Sequence, residues 1–149
     1  MAIPTTQSIV LDTNIVLDLW VFADAQAGPL RRELERGGLH WIATAPMRAE
    51  FERVLGYPQI ASRLAGHGQS VAALLETFDH NARIVAVPAK APVTCGDPDD
   101  QMFIDLAFAH RCLLLSKDAA VLSMTKRLAA LQVGVAATLA ASSYTAPAS

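Results

Sequence analysis

Short apolar runs alternate with helical segments along most of this chain, and that alternation restricts it to an α/β fold. Cys112-Leu113-Leu114-Leu115 has no polar residue in its alternation, the pattern of a strand covered on both faces. Ser8-Ile9-Val10-Leu11 is a similar run that stops at Asp12, and Leu39–Ala43, Arg83–Val87 and Val133–Ala136 read as three further strands. Between them lie helices. One runs from Thr13 towards Phe22, and a second opens at Pro29 and stops at Gly37-Gly38. A third is capped by Thr44 and ends at Gly56, and two more cover Pro58–Ala65 and Gln69–Phe78. After a Pro-rich loop from Pro88 to Pro98, a helix opens at Asp99 or Asp100 and reaches His110, and short ones follow at Ala119–Leu122 and Lys126–Leu131. The expected architecture is a three-layer α/β/α sandwich around a central, mostly parallel sheet.

A length of 149 residues suits one domain, here 1–140, with a tail at 141–149 rich in Ala, Ser, Thr and Pro that is expected to fray. An apolar share of 52% against 17% charged excludes disorder over most of the chain. No run reaches the roughly 20 apolar residues of a membrane span. The first residues, Met1 to Ser8, lack the basic start and apolar core of a signal peptide, so a cytoplasmic protein with no membrane contact is expected. Cys95 and Cys112 are too few for a disulfide framework and do not have zinc spacing, and a reduced state is expected for both. Twelve basic against fourteen acidic side chains give no global signature of a nucleic-acid binder, although a local patch beside bound cations could still hold a phosphate backbone.

Function is best sought in the acids. Asp12 and Asp118 both fall just beyond apolar strands, where α/β sheets gather their ligands. Each acid also has an ordinary reading, because Asp12, Asp99, Asp100 and Asp118 all stand where helices begin and Asp is a favoured N-cap. Helical geometry separates them. At about 100° per residue, Asp100 lies in the middle of the arc of Phe103, Ile104 and Ala107, whereas Asp105 lies opposite, near Gln101, and is expected to face water. Glu50 lies about 40° off the stripe of Met47, Phe51 and Val54, while Arg48 and Glu52 point away. An acid aimed at the core needs a partner, and like charges that converge need a proton or a cation. Oxygen ligands suit Mg²⁺ or Mn²⁺, and a cation so held beside a phosphodiester can activate water and neutralise developing charge. His40, His67, His80 and His110 have no ligand spacing, and no G-x-S-x-G, Walker A or G-x-G-x-x-G motif competes.

The four acids sit in segments that together resemble the PIN-domain nucleases, in particular a subfamily of toxins from type II toxin–antitoxin pairs. Ile9-Val10-Leu11-Asp12-Thr13-Asn14 resembles the strand and D-T-N opening, and Glu50 with Val54-Leu55 resembles the E-x-x-x-V-L helix. Asp97-Pro98-Asp99-Asp100 with Phe103 and Ala107 resembles the D-P-x-D-x-x-F-x-x-x-A segment, and Ser116-Lys117-Asp118 resembles the strand end S/T-x-D. The resemblance implies a Mg²⁺- or Mn²⁺-dependent endoribonuclease whose metal-holding and catalytic acids are Asp12, Glu50, Asp100 and Asp118. Asn14 would orient Asp12, Ser116 would support the metal or a phosphate, and Asp97 is an auxiliary candidate that reads equally well as a turn. It further implies an RNA substrate, a small cognate antitoxin and a homodimer. The chain departs from the subfamily after Val133, where it turns Ala-rich.

Two other enzymatic or binding readings stand beside it: a structure-specific DNA nuclease, and a non-catalytic module that keeps the fold. A phospho-receiver domain also places acids at strand ends, but it needs paired acids near its start and a lysine closing a late strand. Here Asp12 has no acidic neighbour and Lys117 precedes another Asp.

Overall fold

The computed structural model describes residues 7–145. Residues 1–6, on which the expected lack of a signal peptide mostly rests, and 146–149 of the expected tail lie outside the described residues.

Five parallel strands form one sheet in the order β3-β2-β1-β4-β5, where β1 is Gln7–Leu11, β2 Leu39–Ala43, β3 Ala82–Ile84, β4 Leu113–Leu115 and β5 Val135–Ala136. Ile9, Val10 and Leu11 are consecutive, so their side chains point alternately to the two faces, and all three are buried. Leu113, Leu114 and Leu115 behave in the same way. Both faces of the central strands are therefore covered, as the unbroken apolar runs require. The covering helices are α1 (Thr13–Trp20), α2 (Gly28–Glu35), α3 (Ala45–Leu55), α4 (Pro58–Gly66), α5 (Val71–Asn81), α6 (Gln101–His110), α7 (Ala119–Leu122) and α8 (Thr125–Ala130). Among the described residues none is long and apolar enough to cross a membrane.

The order of strands decides where a site can form. From β1 the chain moves to β2 and β3 on one side, then returns to β4 and β5 on the other. The reversal lies between β1 and β4, and a crevice opens beyond the carboxyl ends of such a pair. Asp12 leaves β1 and Ser116, Lys117 and Asp118 leave β4 at that point, stitched together by the Asp12 N–H, which donates to the Leu115 carbonyl at 2.9 Å.

Several boundaries differ from the sequence reading for identifiable reasons. The third strand covers Ala82–Ile84 rather than Arg83–Val87, because its partner β2 ends at Ala43 where α3 begins; Val85 makes the last bond, to the Ala43 carbonyl. The fifth helix starts at Val71 rather than Gln69, since the Ser70 side chain caps it by accepting from the Ala73 N–H at 3.1 Å. Gln69 serves instead as a tie to the Trp20 carbonyl. Cys112 donates its N–H to Ala107 and closes α6, which leaves β4 to begin at Leu113.

On the β2 side the core is aromatic. Trp41 stacks on Trp20 at 5.4 Å between ring centroids and meets the edge of Phe78 at 4.6 Å, while Phe78 stacks on Phe51. At the other end of the chain, Tyr144 is half-buried and its hydroxyl bonds Glu33 of α2, so the stretch expected to fray from Ala141 is held down as far as Tyr144.

Candidate active site

Capping and convergence make different demands on the acids, and the hydrogen bonds separate them. Asp118 caps α7 by accepting from the Ala120 N–H at 2.8 Å, and Asp97 caps the 3₁₀ turn Pro98–Asp100 by accepting from the Asp99 N–H at 3.0 Å. Asp12 and Asp100 occupy cap positions yet make no side-chain capping bond. Both are buried, at 5% and 7% exposure. The ordinary explanation therefore accounts for Asp97 and Asp118 in part and leaves Asp12 and Asp100 needing another.

Hydrogen-bond donors of the protein meet that need only in part. One carboxylate oxygen from each of Asp97, Asp100 and Asp118 lies within 4.8 Å of the other two. Oδ2 of Asp100 is buried and has no hydrogen-bond partner. Burial, followed by the charges of Asp12, Asp118 and Asp97, pushes the Asp100 carboxyl up to about 7. Asp12 is also raised, first by burial and further by the charges of Glu50 and Asp118. Its opposing support is the Ser116 hydroxyl, which is fully buried and donates to Asp12 Oδ2 at 2.6 Å. The same Ser116 oxygen accepts the Asp118 N–H at 3.0 Å, so one hydroxyl ties the end of β1 to the loop after β4.

Glu50 reaches the group from α3. It is half-buried, its Oε2 accepts from the Thr13 hydroxyl of α1, and Arg53 one turn along comes within 3.7 Å of its Oε1. The four acids expected from the sequence thus stand at one end of the sheet, Asp100 and Asp118 in a close trio with Asp97, and Asp12 and Glu50 beside it as charged neighbours. An all-oxygen donor set, crowded negative charge and an orphaned buried carboxylate oxygen fit a hard divalent cation.

Two expected roles change. Asn14 does not bond Asp12; its Oδ1 accepts the Lys117 N–H at 3.4 Å, and Ser116 is the residue that holds Asp12. Nor does Asp105 face open water. Its Oδ1 accepts from the Ala91 N–H and from Gln101 Nε2, both at 2.8 Å, while Gln101 bonds Cys95 and Val93. The helix wheel placed Gln101 and Asp105 correctly on one face, but that face carries the Pro-rich loop rather than solvent. This pair fastens the loop leading to Asp97 and Asp100, and a Gln four residues before an Asp was the only sequence sign of it. Thr13 and Asp18 also went unread. Asp18 is buried on α1 and holds the Lys117 ammonium at 2.5 Å.

A family model described as the PIN domain matches residues 8–120, from the first strand through the acid of α7's cap. No curated protein matches the chain.

Proposed function

The chain belongs to the PIN-domain family, and on that premise we propose that it is an endoribonuclease dependent on Mg²⁺ or Mn²⁺. Nuclease chemistry is the general activity of the family, and the acidic cluster fits a metal. The observation that carries the reading is the buried, partnerless Oδ2 of Asp100 among Asp12, Asp97 and Asp118. Such an atom is costly in a folded protein unless a proton shared with a neighbouring carboxylate, a water or an ion completes it, and among crowded acids an ion also offsets the charge.

Asp12, Glu50, Asp100 and Asp118 would hold the cation and act as the catalytic acids, with Asp97 adding a further oxygen. When bound, the ion lowers the pKa of a water and offsets charge on the attacked phosphate. The chain's own residues prepare for this. Ser116 supports the ionised form of Asp12 against its burial. Asp100 retains a proton near neutral pH and yields it as positive charge arrives, so cation affinity rises with pH through about 7. Thr13 fixes Glu50 from the helix that follows Asp12.

We further read the protein as the toxin of a type II pair, cytoplasmic, restrained by a cognate antitoxin and working as a homodimer. The ordered segments around Asp12, Glu50, Asp100 and Asp118 support the toxin reading. Ile84, exposed at 46% at the end of the edge strand β3, and Val87, exposed at 66% in the loop that follows it, support association of two copies.

The test is cleavage of matched RNA and DNA oligonucleotides by purified protein. RNA should be cut with Mg²⁺ or Mn²⁺ and left whole with a chelator. Cleavage of DNA alone would move the assignment to a DNA nuclease, and no cleavage of either would leave a binding module.

A further inference from the structure

The Ser116–Asp118 segment is gripped from α1 at three points. Ser116 donates to Asp12, which precedes the helix, and Asn14 in its first turn accepts the Lys117 N–H. One turn later Asp18 takes the Lys117 ammonium at 2.5 Å. The Asp18 side chain is 11% exposed, whereas the Lys117 side chain is 43% exposed. A buried carboxylate is a poor device for stability alone, since an apolar side chain of similar volume often serves as well or better. What an ion pair with one buried end can add is a single geometry. Here the geometry it fixes belongs to a residue flanked by Ser116, whose hydroxyl holds Asp12, and by Asp118 of the acidic cluster.

We propose that Asp18 is a positioning residue: through its ion pair with Lys117 it sets the place of Asp118 and Ser116, and so the affinity of the carboxylate cluster for a divalent cation. The proposal rests on the metal-dependent reading above. Asp18 pairs with Lys117 and makes no hydrogen bond to the acids of the cluster. It acts at one remove, as groups that orient metal-holding side chains do, whose loss typically lowers metal affinity by about 10- to 100-fold.

The test is Mn²⁺ titration of the full chain by calorimetry, with melting temperature recorded for each variant. Asp18→Asn should weaken Mn²⁺ binding by about tenfold or more while leaving the melting temperature near that of the parent. Lys117→Met, altering a side chain 43% exposed, should do the same and serves if Asp18→Asn does not fold. The double variant should lose no more than either single one, because both remove one pair. Parent-like Mn²⁺ affinity in folded Asp18→Asn or Lys117→Met overturns the proposal, as do losses that simply add. A parent that binds no Mn²⁺ at all instead defeats the metal-dependent reading, so the two failures are distinguishable.

Discussion

Asp100→Asn is expected to abolish phosphodiester cleavage and, without metal at alkaline pH, to make the protein harder to melt. The first effect follows from losing the one acid whose buried oxygen lacks any other partner. A loss of about 10³-fold or more, equivalent to about 4 kcal/mol of transition-state stabilisation, is the expected scale for removing a charge on which the chemistry depends. The second effect follows from the carboxyl's raised pKa. In the unfolded chain Asp100 titrates near its ordinary value of 3.8, and in the folded protein near 7. Between those values the folded state holds the extra proton, so stability falls as pH rises from about 4 to about 7, and the penalty is complete above. Asparagine does not ionise and removes that dependence. The variant should therefore melt a few degrees above the metal-free parent at pH 8 and lose that advantage towards pH 4, which thermal scans in chelator will read. Full nuclease activity in folded Asp100→Asn, or a metal-free parent that grows more stable from pH 4 to 8 relative to the variant, would contradict this.

Trp41→Ala should have the largest effect on stability. Trp41 is 2% exposed and touches Trp20 of α1 and Phe78 of α5, and Phe78 in turn stacks on Phe51 of α3. Truncation removes the transfer term and leaves a cavity among rings that belong to three helices, at a cost of about 3–5 kcal/mol. Against a total of about 5–15 kcal/mol, that is a large share. A fall of about 10–15 °C in melting temperature is expected. The site should feel it too, since Phe51 directly follows Glu50 on α3. A drop below about 3 °C would mean that the aromatic group is not the keystone of this half of the core.

Much of this arrangement is readable in the sequence, and for physical reasons. Unbroken apolar runs at Ile9–Leu11 and Leu113–Leu115 read as strands with two covered faces, and the acids just beyond them fall at the sheet's switch point. The inward aim of Asp100 follows from helical periodicity, and its 7% exposure agrees. What periodicity does not carry is the identity of the cover. Asp105 and Gln101 share the face away from the apolar stripe, yet a loop rather than water lies over it, and only tertiary structure reveals that the loop's N–H groups need acceptors there. In the same way, the i,i+4 pair Asn14 and Asp18 is visible on α1, but its common target, Lys117, lies about a hundred residues further on. The end of β3 is not legible locally, because a parallel strand stops when its partner does, and β2 ends at Ala43, just before α3.

Isothermal titration with Mn²⁺, run on the parent and on Asp12→Asn in parallel, asks whether these side chains form one cation-holding group. The parent should bind Mn²⁺ with measurable heat, and Asp12→Asn, folded to the same extent, should bind at least tenfold more weakly. Indistinguishable isotherms for the two proteins, or no heat from either, would show that the acids meet without holding an ion.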